Sequence, residues 1–320
     1  LDPRLKDLMD RLVSELKSPV LQGAVKKARE LGAKKAPVSG TIPCDAGTIT
    51  YSGSDTSTAA YSETDITYTF NACRNSLSYT ELTGSMRAYD KWMYDYSSET
   101  HRLTASNFTY KWYSDVTFAT VEYTDVLNAT IDANFDYLVA SETGAVSVNG
   151  SYRSTYHPMD AVMTVNFNGI NAAMGSVYAT NTDVTVVNGG FGFNVSVSGA
   201  QVLGLSVSYS NLEDKWQYLN DTYFTTKNWI NGRISVDWTP NDLGCVEGVF
   251  DFTTPDATPL TSDNQNSYNC PFDGTVTVNN ATFDFGVPSG YQVTVTVGTN
   301  TPQVYADCNA LDVAMCAGLL

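Results

Sequence analysis

From Thr41 onward, apolar side chains recur at every second position, and that period restricts the body of the chain to β-sheet. Ile66, Tyr68 and Phe70 alternate with Thr67 and Thr69, and Met163, Val165 and Phe167 alternate with Thr164 and Asn166. Phe191, Phe193, Val195 and Val197 follow the same rule, as do Leu203, Leu205, Val207 and Tyr209. Ile234, Val236 and Trp238, then Phe283 and Phe285, then Tyr291, Val293, Val295 and Val297 continue it. One apolar and one polar face per stretch define an antiparallel sheet with its polar side wet. Parallel crossovers need about a dozen residues between strands, usually helical, and no helical pattern interrupts the run. The expected fold class is all-β, a large antiparallel meander over residues 41–320, built either as a curved sheet or as a two-layer sandwich.

Turn chemistry lies between the apolar runs, at Asn149-Gly150, Asn188-Gly189-Gly190, Asn231-Gly232, Asp273-Gly274 and Asn279-Asn280. These steps favour positive φ and are read as hairpin turns in series.

Ahead of the sheet the period is 3.6. Asp2-Pro3 reads as an N-cap followed by proline at the first helical position, with Leu5, Leu8, Leu12 and Leu16 along one face. Ser18-Pro19 starts a second stripe of Leu21, Ala24, Ala28 and Leu31, with Gly32 as its C-cap. An amphipathic helical arm is expected over residues 1–36, with a linker around Lys35 to Gly40.

Charge divides at the same place. The chain carries a formal net charge of −16, yet residues 1–35 hold nine basic and five acidic groups, which leaves the body at −20. A body so acidic repels phosphates, so nucleic acid is excluded as its partner. Its polar positions are filled by Ser, Thr and Asn, charged residues being only 16% of the chain, which is the profile of an exported β protein.

The cysteines agree. Cys44, Cys73, Cys245, Cys270, Cys308 and Cys316 are an even set, for which disulfides are expected in an exported chain, with fifteen connectivities open. Nearest-neighbour pairing (Cys44 with Cys73, Cys245 with Cys270, Cys308 with Cys316) would clamp the first β segment, a hairpin and the C-terminal tail. No CxxC pair or His-rich cluster accompanies them, so no metal is expected. No apolar run reaches the ~18 residues of a spanning helix, and neither a signal-peptide core nor a lipid-anchor cysteine stands at Leu1.

Two segments carry a resemblance. Gly248-Val249-Phe250-Asp251-Phe252-Thr253-Thr254-Pro255, then Thr258-Pro259-Leu260, Gly274-Thr275-Val276-Thr277-Val278 and Val293-Thr294-Val295 are similar to the C-terminal segment of Thr/Gly-rich β proteins encoded by many bacteria. Cys44 with Gly47, and Phe70 with Cys73, resemble their cysteine-bracketed opening. Those proteins are mostly uncharacterised and exported or lipid-anchored, so the resemblance implies a β fold and an extracellular, cell-surface or periplasmic location, and no activity.

Little in the chain resembles catalytic machinery. His101 and His157 are the only histidines; His157-Pro158 reads as a turn, His101 as part of a hairpin tip, and no G-x-S-x-G elbow is present. Asp115, Glu122, Asp125, Asp132 and Asp136 are the carboxylates a glycosidase would draw on, although their spacing is ordinary for solvated strands. Glu213-Asp214 and Asn241-Asp242 are acidic enough for weak ion contact, without the loop pattern of a calcium site. N-x-[ST] triplets begin at Asn107, Asn128, Asn149, Asn194, Asn220 and Asn280 and mark surface positions. The densest anomaly is aromatic. Tyr89, Trp92, Tyr94, Tyr96, Tyr110, Trp112 and Tyr113 are the candidate contact surface for a sugar or protein, the alternative being rings packed on both faces of hairpins.

The first functional expectation is therefore a non-enzymatic, cofactor-free structural or interaction protein outside the cell, self-assembling or meeting a protein partner along its strands. The second is a carrier of apolar ligands such as lipid in a curved sheet. A membrane-embedded β-barrel and a glycan-active enzyme rank behind these. Thiol titration of the unfolded, unreduced chain is expected to find no free cysteine; six reacting thiols would remove the extracellular assignment.

Overall fold

The computed structural model describes residues 36–219, 225–239, 247–263, 270–287 and 289–316, with residue 36 and residues 314–316 as backbone alone. The described residues are almost entirely β, with seventeen strands and antiparallel pairing throughout. The chain divides into two compact units, Leu1–Val121 and Glu122–Leu320, so the β domain expected over 41–320 is distributed between both. The arm expected over 1–36 lies outside the described residues, apart from Ala36.

The first unit is a meander of β1 (Ala36–Pro43), β2 (Ala46–Ser57), β3 (Tyr61–Asn75), β4 (Thr80–Met93) and β5 (Ser98–Tyr113). The stretch expected as a linker is thus strand from Ala36 onward. Pro37 and Gly40 suggest a break, but β1 pairs with β2 along its whole length, Pro37 facing Ser54 and Gly40 facing Tyr51. Gly40 is covered by the ring of Tyr51 opposite, whose hydroxyl would stand 2.4 Å from any Cβ there. Ile49, Ile66, Tyr68, Phe70, Met86, Ala105 and Phe108 are buried on one face. Phe70 and Phe108 meet edge to face at 5.1 Å. On the other face Glu81, 5% exposed, accepts hydrogen bonds from Arg74 at 2.7 Å and Lys111 at 3.2 Å, and the Arg74 guanidinium lies over the Phe118 ring. A disulfide joins Cys44, between β1 and β2, to Cys73 near the end of β3.

The second unit opens with six long strands in sequential antiparallel order. They are β6 (Val121–Leu138, whose first residue ends the first unit), β7 (Ser141–Tyr156), β8 (Ala161–Val177), β9 (Thr182–Val197), β10 (Ala200–Tyr218) and β11 (Thr225–Thr239). The strands run 15 to 19 residues, roughly three times the usual length. Their turns are short. Ser198-Gly199 has both residues at positive φ, and the β7–β8 and β8–β9 connections are single 3-10 turns closed by Asp160 and Asn181 in the left-handed region.

Most of the expected hairpin turns are not turns. Asn149-Gly150 lies inside β7, Asn188-Gly189 inside β9 and Asn231-Gly232 inside β11, while Asp273-Gly274 opens a strand; Asn279-Asn280 alone links two. The positive φ that these dipeptides encode is spent at β-bulges and the residues facing them. Asn211 in β10 takes φ 47° and inserts an extra residue, so that Ser210 faces Arg233 but Glu213 faces Asn231. Gly232 takes φ 109° against this bulge, and a Cβ there would lie 2.1 Å from the Asn211 carbonyl oxygen. The same arrangement joins Gly47 to Ala72, Gly84 to Asn107 and Gly189 to Gly169.

The remainder of the second unit is a small module with its own core. β12 (Gly248–Thr253) and β13 (Leu260–Asp263) pair with successive parts of β11, and β14 (Gly274–Val278), β15 (Ala281–Phe285), β16 (Val293–Val297) and β17 (Gln303–Tyr305) continue from β12. Leu260, Val276, Phe285, Val293, Val295 and Leu311 pack together, the last from helix α1 (Cys308–Cys316). Cys270 is disulfide-bonded to Cys308, so the nearest-neighbour pairs Cys245 with Cys270 and Cys308 with Cys316 do not form. Packing decides this: Cys270 is buried in the module core, and the bond draws the start of α1 onto it. Cys245 and the Cys316 side chain lie outside what is described.

Replacing Gly232 by alanine is expected to lower the unfolding free energy by about 1–3 kcal/mol in urea denaturation, through the strained backbone and the blocked carbonyl. Alanine at Gly192, where a Cβ meets nothing within 4 Å, is expected to change it little.

Candidate functional site

The seven rings proposed as a contact surface are not brought together. Tyr89 and Trp92 sit on β4 at opposite parity, hence on opposite faces; Tyr94 and the strongly exposed Tyr96 occupy the β4–β5 turn. Tyr110, Trp112 and Tyr113 lie at the far end of β5, where Trp112 faces Thr80. Trp92 is twelve residues along β4 from that point, roughly 40 Å at the strand rise of about 3.3 Å per residue. Tyr113 is buried against Phe118.

The carboxylates are also scattered. Asp125 points to one side of β6, and Glu122, Asp132 and Asp136 to the other. Asp132 and Asp136 stand about 13 Å apart along the strand, wider than glycoside hydrolysis uses. Asp115 accepts hydrogen bonds from the Thr117 amide and hydroxyl, which hold its pKa below the usual carboxylate range. Glu213 and Asp214 lie within β10 rather than in a loop; Asn220, Asn241 and Asp242 lie outside the described residues. Among the described residues no group of three His, Cys, Asp or Glu side chains gathers as a metal site would, and no helix is long and apolar enough to cross a membrane.

His157 opens a turn, its Nε2 2.8 Å from the Thr124 hydroxyl. His101 lies within β5, its Nδ1 2.8 Å from Asp90 and its Nε2 3.5 Å from Glu99. Burial pushes this imidazole down, but the hydrogen bonds and charges of Asp90 and Glu99 outweigh it and raise the pKa above the ordinary value.

What the structure does assemble is a surface spread over β6 to β11, legible only once the register is known. Leu127 faces Tyr152, Tyr152 faces Val165, Val165 faces Phe193, Phe193 faces Leu205, and Leu205 faces Trp238. The neighbouring row runs through Ala129, Gly150, Phe167, Phe191, Val207 and Val236, and beyond the bulges a third runs through Ile131, Val148 and Ile170. Tyr123 stacks on Tyr156 at 4.7 Å at one end. The opposite face carries Asn128, Ser151, Asn166, Gly192, Ser206 and Asp237 in register. Over these rows the sheet thus has an apolar face and a polar one; beyond the bulges the second face also carries Val184, Val186 and Trp229.

The apolar face is sheltered without being a sealed core. Ala129, Tyr152 and Val165 are buried, whereas Leu127, Met163, Phe167, Phe191, Phe193, Leu205, Val207 and Trp238 are half-buried. Side chains closed against a second layer reach core burial, as Val293 and Val295 do in the C-terminal module. The polar face is open by comparison, with Asn166, Asn168, Ser206 and Ser208 exposed. Burial on the apolar side raises the Tyr209 phenol above its ordinary pKa.

At the β11 end of the sheet the Thr226 hydroxyl and Trp229 Nε1 are buried without hydrogen-bond partners among the described residues, while Lys215 covers the Trp229 ring at 4.5 Å. Compared with models of protein families, with curated proteins and with solved structures, the chain matches none.

Two outcomes are expected. Thr226→Val removes, at constant shape, a buried hydroxyl that has no partner among the described residues, and should leave stability unchanged or raise it by up to about 1 kcal/mol in urea denaturation. The His101 contribution, from a raised pKa, is complete below the unfolded value of about 6.5 and is lost as pH rises through the folded value. Asp90→Asn should therefore lower the His101 midpoint in an NMR titration; an unchanged midpoint would remove Asp90 as its partner.

Proposed function

We propose that this is a non-enzymatic binding protein of the extracellular space or cell surface that holds apolar ligands of the lipid class on the apolar face of β6 to β11. The observation carrying this reading is the half-burial of that face across six strands in continuous register. Each methylene of an acyl chain laid fully against such a surface contributes about 0.8 kcal/mol, so one chain supplies enough for micromolar affinity or better. The Ser/Thr/Asn face keeps the other side in water. The two disulfides among the described residues are compatible with an oxidising, extracellular setting.

Self-assembly, the first expectation from sequence, competes for the same surface, since a second copy would also cover it. A neutral apolar dye such as Nile red distinguishes them. Binding should brighten the dye at protein concentrations where light scattering reports monomer. Leu205→Gln together with Phe193→Gln should weaken binding about tenfold, while Ser206→Gln, one residue away on the polar face, should not, with circular dichroism unchanged in both. Dimers that form without dye and exclude it would transfer the face to self-contact.

A further inference from the structure

The charges on β6 to β11 are sorted by face. All four basic residues of these strands, Arg153, Lys215, Lys227 and Arg233, project from the polar face by their parity in the ladders, Arg233 pairing there with Asp251 at 2.6 Å. The apolar face carries acids alone: Asp125 toward one end, and Glu142, Asp183 and Asp214 toward the other.

The latter three share one region. Glu142 faces Ser176, Ser176 faces Asp183, Asp183 faces Trp216, and Trp216 faces Asn228, so the row ends the apolar field across β7 to β11. Glu142 and Asp183 are two strands apart, about 10 Å. Asp214 sits on the neighbouring strand one diagonal step from Asp183, roughly 7–8 Å away. Two aromatic residues, Trp216 and Tyr218, share this face and end of β10.

An apolar field ending in carboxylates and aromatic rings, with every cation of these six strands on the reverse side, complements one kind of amphiphile. We infer that the ligand carries an ammonium head group, its chain lying along Val187, Leu212 and Ala172, the apolar row four residues (about 13 Å) from Asp183, and its head at Glu142, Asp183 and Trp216. Carboxylates supply the counter-charge and the indole face attracts a cation within about 6 Å. A fatty acid or anionic lipid would place its negative charge against the same carboxylates and find no basic partner on that face among the described residues. This inference rests on the reading of the face as a lipid site.

Dodecylamine, dodecanoate and dodecanol, each below its micelle concentration, separate the two levels when titrated into the full chain by calorimetry or native mass spectrometry. The amine should bind at least about tenfold tighter than the carboxylate, with the alcohol between them. The double variant Glu142→Gln, Asp183→Asn should lose most of that preference while keeping its affinity for dodecanol. Equal binding of amine and carboxylate, or a preference untouched by the double variant, would overturn the head-group assignment and leave the apolar site standing. Failure of all three to bind would overturn the lipid site, and accompanying dimerisation would assign the face to a second copy.

Discussion

Pairing a residue of positive φ with a facing glycine holds the long sheets together. A strand of 15 to 19 residues whose side chains alternate strictly would twist out of contact with a partner of different length, and its apolar face could not be adjusted along the way. A bulge inserts one residue and shifts the phase. In β8 the apolar face is carried by Val165 and Phe167 at odd positions before Gly169, and by Ile170, Ala172 and Met174 at even positions after it. In β10 it passes from Leu205, Val207 and Tyr209 to Leu212 and Trp216 across Asn211. The glycines opposite, Gly189 and Gly232, allow the bulged carbonyls to approach where no other residue fits. Without these slips, half of β8 and half of β10 would turn their apolar side chains to the polar face.

The same device explains what could be read beforehand. Alternation was legible from residues such as Ile66, Tyr68 and Phe70, and it led correctly to an antiparallel meander. Strand length was not legible, because Asn-Gly and Asp-Gly satisfy two conformational demands with one signature. They populate positive φ equally well in a two-residue hairpin and opposite a mid-strand bulge. What separates the cases is whether the apolar phase slips by one and continues or stops at a polar tip. At Tyr209 to Leu212 it slips, and at Ser198-Gly199 it stops.

The candidate site failed to show in sequence for a related reason. Tyr89, Trp92, Tyr110 and Trp112 are dense along the chain, but parity sends neighbours to opposite faces and hairpin length separates the ends. The face of Leu127, Tyr152, Val165, Phe193, Leu205 and Trp238 draws one residue from each of six strands, spread over more than a hundred positions. No local window contains it. Cys270 and Cys308 illustrate the same principle, since their bond follows the packing of the C-terminal core and skips nearer cysteines in the chain.

Sorting charge by face is the further consequence of register. Arg153, Lys215, Lys227 and Arg233 need only one shared property to end on the polar side, namely a position one step out of phase with the apolar residues around them. Lys215 follows Asp214 and precedes Trp216, so a single peptide step separates a cation stacked on the Trp229 ring from an acid on the opposite face. Such placement costs nothing in a β ladder because adjacent side chains never share a face. In a helix the same three residues would fan around the axis and their charges would largely cancel. A long, two-faced sheet is therefore suited to holding an apolar field with charge of one sign at its border, and the bulges allow that field to continue across the whole length of the strands.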